Sequence, residues 1–162
     1  MITTISIIAL FAVVVLFLGI LKNRKQESRD NTENNLLNAF NRLVFANKAV
    51  IDYYEIIGNR IIALDKRNFK LIFVTDYNGI QEICVPLKEI STVEVFIDEN
   101  DDGTICTINL ALHNNRNKLL YSINFFQDVR DSHTALPNLA RRALRWKHKI
   151  GQYISIAFQI KE

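Results

Sequence analysis

Cysteine is scarce in this chain of 162 residues, which has two, Cys84 and Cys106. Two thiols make no disulfide framework, and a reducing compartment leaves both free, one bridge being the other arrangement open to them. Neither lies near the N-terminus, which excludes a lipidated cysteine there. The five glycines are scattered singly, so the chain has no Walker-type phosphate loop and no G-x-G-x-x-G. It also lacks G-x-S-x-G. His113, His133 and His148 stand apart from one another and from the cysteines, without metal-ligand spacing, and read as surface or loop-edge residues. These absences leave no sequence motif for an enzyme and none for a cofactor. The net charge is only +3, and Asp128, Asp131 and the 98–102 loop put acid into the same domain, which speaks against a nucleic-acid partner.

What the chain does have is one long apolar run. Ile2 to Leu21 is charge-free over twenty residues, a length that spans about 30 Å as a helix and matches the hydrocarbon core of a bilayer. A cleaved signal has a shorter apolar region, a basic segment before it and a small-residue cleavage site after it. None of these is present, so the block reads as a retained anchor. Lys22, Arg24, Lys25 and Arg29 crowd its C-terminal side, and positive flanks stay inside. The expectation is a single-pass protein of the inner (cytoplasmic) membrane, N-terminus out, with residues 22–162 on the cytoplasmic side.

Behind the block, Lys22 to Asn35 is polar and has no run suited to a core. From Thr32 the spacing of Leu36, Leu37, Phe40, Leu43 and Val44 predicts a helix of about 14 residues. It either prolongs the span as one rod or packs on the domain that follows. From Val50 the period becomes two, and turn residues separate seven apolar segments at 50–57, 60–65, 69–75, 80–86, 91–98, 104–112 and 118–126. The first of them, Ala49 to Ile57, also permits a continuing helix; a strand is the preferred reading. Connections this short predict an antiparallel meander. After Asp131 a 3.6-residue period through Leu136, Leu139, Ala143, Leu144, Trp146, Ile150, Ile154, Ala157 and Phe158 predicts a long closing helix. The expected organisation is therefore an anchor (1–21), a juxtamembrane linker and helix (22–48) and an α+β domain (49–162).

Seven antiparallel strands and then an amphipathic helix is the element order of the pleckstrin-homology (PH) superfold. The run from Ile61 to Phe73, then Val85-Pro86-Leu87-Lys88-Glu89-Ile90 leading into Val93-Glu94-Val95, resembles bacterial PH-like domains over residues 50–158. The resemblance implies a strongly bent sandwich or barrel with the helix plugging one open end. It also implies company with transmembrane helices and roles in scaffolding.

Two stretches are candidate sites. Asp98-Glu99-Asn100-Asp101-Asp102-Gly103 matches the opening of an EF-hand loop, with Asp98, Asn100 and Asp102 as the oxygen ligands. The twelfth position, however, is Asn109, and a hairpin turn accounts for the same residues. The closing helix carries Arg141, Arg142, Arg145, Lys147 and Lys149, which form with Lys22, Arg24 and Lys25 a candidate surface for the membrane or a partner, or a plain solvated helix face. Cys84 and Cys106 read as core residues rather than nucleophiles. The function expected is a non-catalytic interaction or scaffolding module that holds a protein partner, or further copies of itself, at the bilayer. Lipid or small-ligand sensing is the alternative.

Overall fold

The computed structural model describes residues 33–77 and 79–159. The Ile2–Leu21 block and the residues Lys22, Arg24 and Lys25 lie outside the described residues. Among those described, no helix is long and apolar enough to cross a membrane.

Helix α1 spans 33–46. Four strands follow, β1 (Ile51–Ile57), β2 (Arg60–Asp65), β3 (Lys70–Asp76) and β4 (Ile80–Pro86). Three more form a second group, β5 (Thr92–Glu99), β6 (Ile105–His113) and β7 (Leu119–Gln127), before the 24-residue helix α2 (Leu136–Gln159). Each group is an antiparallel meander in the order β1-β2-β3-β4 or β5-β6-β7. The two sheets are separate and do not close into a barrel. Of the two forms expected, sandwich or barrel, the sheets thus take the open one. Within the Ala49–Ile57 segment, Ile51–Ile57 is a strand, and its turn into β2 uses Gly58 at φ +56°, a left-handed backbone that favours glycine.

The central strands are apolar on both faces. Ile62, Leu64, Leu71 and Phe73 join the main core, with Ile108, Leu110, Leu112, Ile123 and Phe125 of the second sheet. Ile61, Ala63, Ile72 and Val74 point the other way and are covered by Leu36, Ala39 and Phe40 of α1. Of the two placements open to this helix in the sequence, packing on the domain is therefore observed. Without that cover, four aliphatic side chains of the sheet would face water.

On α2, Leu139, Ala143, Trp146, Ile150, Ile154 and Ala157 recur at helical spacing and are buried. Leu144 and Phe158, read into the same stripe, are instead exposed, at 57% and 45%. The apolar stripe is wider than the sheet surface it covers. Phe125 and Phe126 are both buried although they are neighbours, because the pairing of β6 with β7 shifts by one residue at Ile108/Asn109.

Both helices run antiparallel to β1. The end of α1 sits over the β2–β3 turn, where the Asn47 and Lys48 carbonyls accept from Lys70 Nζ and Asn68 Nδ2, while Phe40 stacks near Tyr54 at mid-strand. Helix α2 meets Ile56 through Arg142, Glu55 through Trp146 and Asp52 through Tyr153. The first turns of α1 and α2 therefore lie toward one pole of the domain, that of the β1–β2 turn.

The polar contacts at this pole are unusual. Arg60, 1% exposed, donates to both carboxylate oxygens of Asp131, at 2.6 and 3.3 Å, and to Asn124 Oδ1 at 3.1 Å. The Tyr77 ring covers the guanidinium, 4.4 Å from centroid to Cζ. Burial pulls the Arg60 pKa down, and the charge and hydrogen bonds of Asp131 oppose that pull. Asp131 also accepts from the Gln127 amide. One carboxylate therefore ties the loop between β7 and α2 to the start of β2.

Candidate functional site

A groove of about 550 Å³ lies between α2 and β1, lined by Tyr53, Glu55, Arg141, Leu144, Arg145 and Lys149 among others. The alternation of β1 turns Tyr53, Glu55 and Ile57 toward α2 and the core, and Tyr54 and Ile56 outward. Glu55 is the organising group. Its Oε2 accepts from Trp146 Nε1 at 2.8 Å. Its Oε1 lies 3.1 Å from Arg142 Nη1 and 3.3 Å from Arg145 Nη2. Arg142 also donates to the Ile56 carbonyl at 3.4 Å. Farther along, Lys149 Nζ stands 3.5 Å over the Tyr53 ring centroid, and that ring is 5.2 Å from the Trp146 ring.

The charge on the α2 side of the groove has one sign. Helix α2 carries five Lys and Arg residues and no Asp or Glu. Helix stability alone would favour acid in the first turn, and there is none. Glu55 partly neutralises Arg142 and Arg145; Arg141 and Lys147 form no ion pair with a described residue. Guanidinium groups stay charged at any physiological pH and donate hydrogen bonds without giving up protons. The groove thus sets cations beside the apolar surface of Leu144 and Tyr53.

Three of the candidate residues on the closing helix, Arg141, Arg145 and Lys149, line the groove, and Arg142 braces it through Glu55. Lys147 is exposed and outside the lining. Glu55, Tyr53 and the bracing role of Trp146 were missed by sequence reasoning. The one available signal was a carboxylate in register with Tyr53 and Ile57 on the inward face of a strand.

Asp98, Asn100 and Asp102 fall at the β5–β6 hairpin. The Asn100 amide donates to the Thr104 carbonyl and the Gly103 amide to the Asn100 carbonyl, both at 2.9 Å, with Gly103 at φ +78°. Asp102 Oδ1 accepts from the Thr104 amide at 2.9 Å. Hydrogen bonds from Thr104 hold the Asp102 carboxyl below its ordinary pKa. Turn chemistry uses these residues, and no group of three or more His, Cys, Asp or Glu suited to a metal gathers among the described residues. Both cysteines are free and half-buried rather than fully in the core. Desolvation pushes each thiol pKa up, with Asp128 and Asp98 adding to the effect at Cys106. His133 and His148 are exposed and His113 is half-buried.

No family model, curated protein or solved structure matches this chain.

Outside the groove lining, Tyr153 of α2 donates its hydroxyl proton to Asp52 of β1. Burial first, and then this hydrogen bond, push its pKa up to about 12. An unfolded tyrosine titrates at about 10. Because the folded pKa is the higher one, the contact stabilises fully below the unfolded value and is lost as pH rises through the folded one. Alkaline ultraviolet titration should show a late phenolate that Tyr153→Phe removes.

Proposed function

We propose that this chain is a single-pass membrane protein, anchored by Ile2–Leu21, whose PH-like domain is a non-catalytic interaction module at the inner face of the membrane. The observation that carries the reading is the α2/β1 groove: permanent cations and apolar surface converge there, and its lone carboxylate is occupied by Trp146, Arg142 and Arg145. Such a surface recognises acidic groups. The sequence of four strands, three strands and a C-terminal helix supports the PH-like reading. A tether raises the effective concentration of whatever the domain binds beside the bilayer, to the millimolar range for a short linker. Scaffolding of a partner or of a larger assembly follows from that tether.

The test uses the full chain in neutral detergent, where no anionic surface competes. A dye-labelled poly-glutamate peptide should bind saturably at low salt by fluorescence anisotropy. Arg141→Glu/Arg145→Glu should abolish binding. A chain that ignores the peptide, or binds it equally after charge reversal, rules the groove out as the recognition surface.

A further inference from the structure

The cations of α2 form a row. Arg141, Arg145 and Lys149 are spaced by four residues, so about 6 Å of helix rise separates each from the next and the row covers about 12 Å. A single phosphate is too small to engage all three. Leu144 lies beside the row, 57% exposed. Arg141 has no ion pair with a described residue, and the Arg145 side chain is 60% exposed despite its contact with Glu55. An extended array of fixed cations with an apolar residue at its margin matches a sheet of separate anionic headgroups.

The position of the row selects among acidic surfaces. The first turns of α1 and α2 share the pole of the β1–β2 turn, so the chain enters the domain at residue 33 on the pole where Arg141 and Arg145 stand. Between Leu21 and that entry lie residues 22–32, which reach at most roughly 40 Å when fully extended. Residue 33, at the same pole as the basic end of α2, is therefore held within that distance of the end of the apolar block, and Lys22, Arg24, Lys25 and Arg29 add cations to the tether itself.

We infer that the Arg141–Arg145–Lys149 row, with Leu144 at its margin, docks on the anionic lipid surface of the bilayer in which the chain's own Ile2–Leu21 block is anchored. This rests on the anchored-module reading above. Docking lays α2 on the headgroups and fixes the orientation of the domain. The opposite pole, with Phe45 and the β2–β3 turn, is then directed away from the entry point of the chain.

The experiment places the full chain in lipid nanodiscs with an environment-sensitive dye on His148→Cys, in a Cys84→Ser/Cys106→Ser background. Headgroup-spin-labelled lipid should quench the dye in discs containing phosphatidylserine and leave it bright in pure phosphatidylcholine. Quenching should vanish at about 1 M salt, where screening acts within about 3 Å. Arg141→Gln, which disturbs no ion pair with a described residue, should lower the docked-to-free ratio about fivefold, and Arg141→Gln/Arg145→Gln about 25-fold. Equal quenching in both kinds of disc, or none in anionic discs, overturns the inference. If the poly-glutamate peptide binds in detergent while anionic discs leave the dye bright, the groove reading stands and bilayer docking is rejected. A chain that fails to enter discs at all removes the anchor and the docking inference with it.

Discussion

Replacing Asp131 with alanine should destabilise the domain by about 3–5 kcal/mol, the cost of leaving a buried charge without its partner. Arg60 is the charge in question. Its side chain is 2% exposed, its Nε already has no hydrogen-bond partner among the described residues, and Asn124 Oδ1 is the acceptor that would remain to it among them. The reverse deletion is milder. Arg60→Met removes the buried cation and keeps most of its volume, while Asp131, whose side chain is 15% exposed, retains water and the Gln127 amide. A loss of about 1–2 kcal/mol is expected there, the cost of one imperfectly satisfied carboxylate. Urea unfolding of the detergent-solubilised chain measures both, since the single tryptophan is buried in the folded state and its emission should shift to the red on unfolding. The double substitution Arg60→Met/Asp131→Asn should be no worse than Asp131→Ala alone. Equal losses from the two single substitutions would mean that the pair is solvated and not the buried clamp described.

How much of this was legible in the sequence depends on the range of the interaction. Turn residues and period-two runs placed all seven strands to within about a residue, because each strand's pattern is local. The run Ile61-Ile62-Ala63-Leu64 carried more than its strand assignment: an unbroken apolar segment in a sheet calls for cover on both faces, and the Leu36-Ala39-Phe40 stripe supplies it. Arg60 and Asp131 are 71 residues apart, and no local pattern joins a lone arginine at the start of a strand to a lone aspartate in a loop. Glu55 was hidden for the same reason, since its partners lie about ninety positions away. The basic helix was visible as charge, but which of its cations are spent on the fold depends on that unseen carboxylate.

Trp146 is where fold and groove meet, and its replacement by alanine should cost about 3–5 kcal/mol through lost burial and a residual cavity. The ring is 1% exposed, in the core cluster with Leu139, Ala143 and Ile150, while its Nε1 proton is donated to Glu55. Trp146→Phe separates the two roles. Phenylalanine keeps much of the apolar contact and removes the donor, so the half-buried carboxylate loses one of its partners at a cost of about 1–3 kcal/mol. Urea unfolding followed by far-ultraviolet circular dichroism reads both variants, the tryptophan probe being absent. The phenylalanine variant should also alter the groove. Among the described residues Glu55 would then be held by Arg142 and Arg145, at 3.1 and 3.3 Å from Oε1, and would draw both toward itself. Arg145 would become less available to an anion, and poly-glutamate binding should weaken although no cation has been removed. If Trp146→Phe lowers stability and leaves peptide binding unchanged, the indole serves the core alone and the arginines are positioned without it.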